Sequence, residues 1–84
     1  MSYQVVIKKS AFKSLQSIPN PYFLQVKTTI YSLVDNPRPI GYKKLKGRTG
    51  FRIRVANYRI IYEIQDKILL IEVVAIGRRN DIYE

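Results

Sequence analysis

Apolar and charged residues alternate in the second half of the chain, where Phe51, Ile53 and Val55 are separated by Arg52 and Arg54. Successive side chains of a β-strand point to opposite faces, so this pattern predicts a strand with one apolar and one cationic face. We expect the apolar face to join the core and the arginines to lie on the other side of the sheet.

A second alternating run starts at Tyr58, and Ala56 and Asn57 between the two runs predict a two-residue hairpin turn. Asparagine suits such a turn because it tolerates positive φ. In this register Arg54 lies directly opposite Arg59, where like charges repel unless a polyanion binds between them. A single arginine is more often a solvated surface residue, but the set together predicts an anion-binding face.

Two helices are predicted in the first half of the chain. The first opens with Ser10 as its N-cap and ends at Ile18 before Pro19, with Phe12, Leu15 and Ile18 as its apolar stripe. The second has Asn20 as its cap and a proline at its first position. Its apolar stripe consists of Phe23, Val26, Ile30, Leu33 and Val34, and it ends at Asn36 and Pro37.

Four strands complete the predicted order β-α-α-β-β-β, which is an α+β fold. The last of them is almost continuously apolar, which is typical of a central strand, and Gly77 is expected to end it. A turn at Asp66 and Lys67 separates it from the strand before it. The predicted strands are Tyr3–Lys8, Phe51–Ala56, Tyr58–Gln65 and Ile68–Ile76.

Composition restricts the class of protein. Eighty-four residues with a hydrophobic fraction of 46% make a single domain over 1–84 with one core. Neither a secretory leader nor an apolar run long enough to cross a bilayer is visible, so a soluble cytoplasmic protein is expected. A net charge of +9 favours a polyanionic partner, and nucleic acid is favoured over lipid because no long amphipathic basic helix is present.

The segments GYKKLKG, FRIRVANYRIIYEI and AIGRRNDIYE together resemble the RelE branch of the RelE/ParE toxin superfamily. The KLKG loop, the RIRV-x-x-YRI-x-Y hairpin and the terminal IG-x-R-x-D-x-Y follow one another in the order and at the separations of that family. The resemblance covers nearly the whole chain. It implies a twisted antiparallel sheet with two N-terminal helices packed on one face and a catalytic groove on the other.

The resemblance also implies a toxin of a type II toxin-antitoxin system that enters the ribosomal A site and cleaves messenger RNA there. By position, Arg52 and Arg54 match two basic residues of one family strand, Arg59 matches its phosphate-binding arginine, and Arg79 and Tyr83 match its C-terminal pair. These five are the predicted catalytic residues. The residues predicted to contact RNA and the ribosome are Lys43, Lys44, Lys46, Arg48 and Arg78, with solvated side chains as the alternative.

RNA can be cleaved without a metal when its 2′-hydroxyl attacks the adjacent phosphate. Because the chain has no histidine or cysteine and no paired carboxylates in its basic region, no metal and no cofactor are predicted. Many family members have histidine where Arg78 stands, and some have lysine where Arg52 and Arg54 stand. Arginine is a poor general base, which leaves Glu63 and Tyr83 as candidates for proton transfer. Alternatively, Glu63 forms an ion pair with a strand arginine, and the Tyr83 ring stacks on a base.

The implied partners are an acidic, RelB-like cognate antitoxin, the ribosome and messenger RNA. No membrane partner is expected, and no helix of the chain is predicted to read DNA directly. Two alternatives stay open at this point. One is the ParE branch of the same superfamily, which acts on DNA gyrase, and the other is a non-catalytic RNA-binding module whose arginines only bind phosphate.

Overall fold

A computed structural model describes residues 2–78 and has the predicted order of elements, with one addition. A short strand at Lys43–Lys44 precedes the hairpin, and a 3-10 turn at Asp66–Ile68 takes the place of the predicted two-residue turn. The fold is therefore α+β, as predicted. The elements are β1 (Gln4–Ile7), α1 (Lys9–Gln16), α2 (Tyr22–Ser32), β2 (Lys43–Lys44), β3 (Phe51–Val55), β4 (Tyr58–Gln65) and β5 (Leu70–Arg78).

The strands form one five-stranded sheet in the order β1-β5-β4-β3-β2. Neighbours from β2 to β5 are antiparallel, whereas β1 pairs in parallel with β5. The sheet is therefore mixed, whereas an antiparallel sheet was predicted. The chain leaves β1 through the two helices, which allows a parallel return that a short hairpin could not make. The last strand lies between β1 and β4, in the interior position that its apolar sequence predicted.

The hairpin has the predicted register, with Arg54 directly opposite Arg59. Its turn differs in detail, because Ala56 and not Asn57 takes the left-handed conformation, with φ of +54°. A two-residue turn that joins twisted strands needs positive φ at its first central position. Ala56 therefore takes positive φ because it is the first central residue of the turn, even though asparagine tolerates this conformation better.

Both helices pack on one face of the sheet. From α1, Ala11 and Leu15 reach the core, and Ile18, two residues past the helix end, continues this row, whereas Phe12 is 46% exposed. Phe12 was predicted to belong to this stripe, but it lies one residue away from the row that faces the sheet. The buried residues of α2 are Val26 and Ile30, and Leu33 follows directly after the helix. Those of the sheet are Ile53, Tyr58, Ile60, Tyr62, Ile71, Val73 and Ile76.

A bulge in β5 keeps its apolar side chains on the core face. Tyr62 lies opposite Val73 and Ile61 opposite Ala75, so Val74 is an extra residue in β5. An extra residue shifts the alternation of a strand by one position, which is why Ile76 is buried on the same side as Val73. Gly77, predicted to end this strand, continues it instead.

The helix ends also differ from the prediction. The N-cap positions are occupied by Lys8 and Pro21, not by Ser10 and Asn20, and neither makes a side-chain capping bond. Ser10 lies inside the first turn of α1, where its carbonyl accepts a hydrogen bond from Ser14 Oγ at 3.2 Å. No helix in the described part of the chain is long and apolar enough to span a membrane.

Candidate nucleic-acid interface

Arginines from β3 and β4 lie on the sheet face that carries no helix, which we call the outer face. Ile53 and Tyr58 belong to the core, so the alternating positions Arg52, Arg54 and Arg59 point to the opposite side. Three cationic side chains from two hydrogen-bonded strands are thereby fixed on one surface, as the sequence predicted.

The outer-face arginines differ in depth. Arg54 is exposed and Arg59 is half-buried, whereas only 5% of Arg52 is accessible. The Nε atoms of Arg52 and Arg59 are both buried. Ile61, which lies opposite Arg52 on the same face, is 1% exposed. The sequence predicted that these arginines share one face, but it did not predict that two of the guanidinium groups are held partly within the protein.

The short strand β2 adds a fourth cation to the outer face. Lys43 lies directly opposite Arg52, whereas Lys44 lies opposite Phe51, which packs against the core. Residues opposite each other on paired strands share a face. The two lysines were predicted to act together in a loop, but β2 directs them to different sides of the sheet.

The basic loop between β2 and β3 is anchored by the buried side chain of Leu45. Leu45 is 4% exposed, and its amide donates to the Gly50 carbonyl at 3.0 Å. Lys46 and Arg48 are exposed above it. Gly50 has φ of +111°, and a Cβ atom there would lie 3.2 Å from the Tyr62 carbonyl oxygen. This position therefore requires glycine for both its conformation and its close approach to β4.

A buried hydrogen bond fixes the segment that leads into β2. The Tyr62 hydroxyl donates to the Pro37 carbonyl at 2.8 Å, and the tyrosine is fully buried. Burial is the main cause that raises the pKa of Tyr62 to about 12, with a smaller contribution from Tyr42. On the core face and neutral at physiological pH, Tyr62 acts as a structural residue.

An exposed cluster of Arg38, Asp66 and Tyr3 also holds the segment that leads into β2. Arg38 donates to both Asp66 carboxylate oxygens, at 3.3 and 2.9 Å, and the Tyr3 hydroxyl donates to Asp66 Oδ1 at 2.6 Å. The guanidinium of Arg38, followed by the Tyr3 hydroxyl, lowers the pKa of Asp66. The same carboxylate raises the pKa of both Tyr3 and Arg38. Arg38 is therefore committed to a salt bridge and does not belong to the anion-binding set.

The outer face also carries two carboxylates. Glu63 lies directly opposite Glu72 across β4 and β5, and Thr49 Oγ1 donates to Glu63 Oε2 at 3.5 Å. This contact joins Glu63 to the basic loop, and the predicted ion pair between Glu63 and a strand arginine stays a prediction. In the same range no three carboxylate side chains come together as a metal site.

Of the predicted site residues near the C-terminus, only Arg78 lies within the described residues. Arg79 and Tyr83 lie outside the described residues. Arg78 is exposed at the end of β5 and lies opposite Tyr58, a core residue, so it is on the helix side of the sheet. It is separated there from the outer-face arginines, and its predicted contact with RNA or the ribosome stays a prediction.

The outer face can bind and stabilise negative charge. Arginine presents five planar donors and stays protonated at every physiological pH, so three of them on a rigid sheet suit the oxygens of a phosphate. They cannot serve as a general base. Sequence reasoning missed that Lys43 faces this site and that Arg52 is deeply buried. The first follows from β2, which at two residues is too short to give a periodic signal.

Comparisons with known proteins identify the family of the chain. Residues 5–83 match the family described as the ParE toxin of type II toxin-antitoxin systems. The chain is 32% identical over 88 residues to a RelE-like toxin protein of Escherichia coli, with 99% of this chain and 92% of that protein covered. It is 31% identical over 90 residues to the toxin RelE1 of Methanocaldococcus jannaschii, covering 100% of this chain and 98% of that protein.

A solved structure extends the likeness to three dimensions. The RelE chain of the archaeal RelE-RelB complex from Pyrococcus horikoshii superposes with a TM-score of 0.84 at 28% identity. The alignment covers 98% of this chain and 100% of that one. Family match, sequence identity and fold agree over almost the full length. The chain belongs to the RelE/ParE superfamily and is a RelE-like toxin of a type II toxin-antitoxin system.

Proposed function

We propose that this toxin is a metal-independent endoribonuclease that cleaves messenger RNA in the ribosomal A site and so stops translation in the cytoplasm. The observation that carries the proposal is the pairing of Arg54 with Arg59 on the outer face, beside the buried Arg52. Like charges directly opposite each other on a sheet repel, and a phosphate bound between the two guanidinium groups would be attracted to both.

In the proposed reaction the 2′-hydroxyl of the substrate attacks the adjacent phosphorus, and the bond to the 5′-oxygen breaks. The products are a 2′,3′-cyclic phosphate and a 5′-hydroxyl. Negative charge grows on the phosphoryl oxygens in the transition state, and cations already held in place stabilise it more than they stabilise the ground state. Arg52 and Arg59, whose Nε atoms are buried, are best placed to do so without rearrangement.

Proton transfer needs groups other than the strand arginines. The attacking hydroxyl must lose a proton and the leaving oxygen must gain one. Tyr83 and Arg79 are the proposed contributors from the C-terminal segment, by resemblance to the family. Glu63 is the carboxylate that β4 places on the outer face, and it accepts a hydrogen bond from Thr49 Oγ1. It is the second candidate base.

The basic loop supports binding to ribosomal RNA. Lys46 and Arg48 are exposed on a loop that Leu45 anchors, and Lys43 extends the cationic surface of the outer face. Phosphate contacts of this kind position a protein without reading sequence. The relative from Pyrococcus horikoshii was solved as a RelE-RelB complex, which supports a RelB-like antitoxin as the partner that silences this toxin.

The test is primer-extension mapping of ribosome-bound messages after brief expression of the chain, beside Arg59→Ala. We expect new 5′ ends within translated codons for the wild type and none for the variant. The matched control is Thr28→Ala, at an exposed position of α2, and this variant should cleave messages normally. Intact messages during growth arrest would contradict the proposal.

A second candidate is inhibition of DNA gyrase, because the matching family is described as the ParE toxin. This candidate predicts trapped gyrase–DNA complexes and intact messages in the same cells. A toxin of that kind needs no opposed arginines on an open sheet face, which is why ribonuclease activity is preferred.

A further inference from the structure

A cavity of about 410 Å³ opens on the helix side of the sheet, away from the outer-face arginines. It lies between the C-terminal end of α1 and the end of the β4–β5 pair. Its volume is at the lower end of the range for ligand pockets. The proposed cleavage reaction uses none of its lining residues.

Part of the cavity lining is apolar. Ile18 and Ile76, which are 7% and 4% exposed, belong to the core, and Pro19 lines the cavity beside Ile18. The Tyr58 ring closes the sheet side, with the partly exposed Tyr22 ring 6.1 Å away. Such a surface suits one apolar or aromatic side chain.

The polar groups of the cavity favour a carboxylate beside that side chain. Ser14 Oγ donates to the Ser10 carbonyl at 3.2 Å, and Ser17 Oγ donates to the Ser14 carbonyl at 2.7 Å. Both hydroxyl protons are therefore already in hydrogen bonds to backbone carbonyls of α1. Of the residues that line the cavity, Arg78 carries the charge, and it is exposed at the rim. A nucleotide would need several donors here, whereas a single carboxylate needs only the guanidinium.

We propose that this cavity is a docking site for an acidic protein segment that inserts one apolar side chain and places a neighbouring carboxylate on Arg78. The net charge of +9 favours such a partner at long range. The identity of the partner as the cognate antitoxin rests on the proposed function, but the chemistry of the cavity does not.

The position of the cavity gives the contact a regulatory consequence. Arg78 is the last residue of β5 and immediately precedes Arg79, a predicted catalytic residue. A partner seated in the cavity holds the strand end from which that residue extends. The antitoxin would thus act from behind the sheet and need not cover the outer face to affect it.

The first test is a titration of the full chain, carrying Arg59→Ala so that the host tolerates its expression, followed by amide NMR shifts. The probes are 3-phenylpropionate, which joins a ring to a carboxylate, and 3-phenylpropanol, which lacks the charge. We expect the largest shifts at Ser17, Gly77 and Arg78 and about fivefold weaker binding of the alcohol. Equal binding of both probes, or larger shifts at these amides with adenosine monophosphate, would overturn the proposal.

The second test fills the cavity. Ser17→Phe places a ring at its mouth, while Gln16→Phe adds the same ring to an exposed neighbour that does not line it. We expect Ser17→Phe to abolish probe binding and to weaken the complex with the antitoxin at least tenfold, and Gln16→Phe to do neither. Because probe binding requires no ribonuclease activity, loss of the proposed function would leave this result unchanged. Probe binding that survives in Ser17→Phe would refute the site.

Discussion

Removing the buried hydroxyl of Tyr62 should destabilise the protein at neutral pH. In Tyr62→Phe the Pro37 carbonyl loses the donor that lies 2.8 Å away, in a place where the tyrosine is fully buried. A buried acceptor left without its partner costs about 1.5 kcal/mol. For a domain of this size that cost lowers the melting temperature by about 8 °C.

At alkaline pH, Tyr62→Phe should become more stable than the wild type. The pKa of Tyr62 is about 12 in the folded protein and 10.0 is its ordinary value. A raised folded pKa means that this contribution is complete below pH 10 and is lost as pH rises toward 12, because the unfolded chain ionises first. The loss reaches about 2.7 kcal/mol, two units at 1.36 kcal/mol each. Phenylalanine has no such loss, so the two stability curves should cross near pH 11.

Urea unfolding followed by far-ultraviolet circular dichroism between pH 7 and 12 measures both effects, with all variants in the Arg59→Ala background. Ionisation of the lysines affects every variant alike and cancels in the difference. Tyr58→Phe is the matched control, because its ring is also in the core and its hydroxyl makes no hydrogen bond with residues 2–78. A constant difference between Tyr62→Phe and wild type across this pH range would refute the reasoning.

Three further predictions concern the outer face and its loop. Leu45→Ala should cost about 3 kcal/mol and speed amide exchange in the basic loop, and unchanged exchange would mean that Leu45 does not anchor it. Arg52→Lys should reduce cleavage by more than tenfold and exposed Arg54→Lys by less than threefold, because only the buried site depends on planar donors; equal losses would contradict this. Lys43→Ala should lower the salt slope of ribosome binding by about 0.7 to 0.9, whereas Lys44→Ala, on the other side of the sheet, should change it less.

The hairpin was predictable because two local signals agree on it. Alternation fixes which residues share a face, and a two-residue turn fixes the register, so the opposition of Arg54 and Arg59 followed from sequence. The two helices were also recognisable, since their apolar spacing is regular. Their ends were not, because no side-chain cap marks them.

Features that depend on distant parts of the chain were not predictable. The parallel pairing of β1 with β5 joins residues more than sixty positions apart, and β2 is defined only by its partner β3. The depth of Arg52 likewise depends on what surrounds it in the fold and not on its place in an alternating strand. For the same reason, the charge pattern did not show which face of the sheet Arg78 occupies.

The most direct test of the central claim is cleavage of a messenger RNA that carries a single 2′-deoxynucleotide at the mapped cut site. The chain is added in excess to ribosomes programmed with this message or with the unmodified one, in a single turnover. We predict complete resistance of the modified message, and a 2′,3′-cyclic phosphate on the product of the unmodified one. Cleavage of both messages at the same rate would exclude attack by the 2′-hydroxyl and contradict the proposed mechanism.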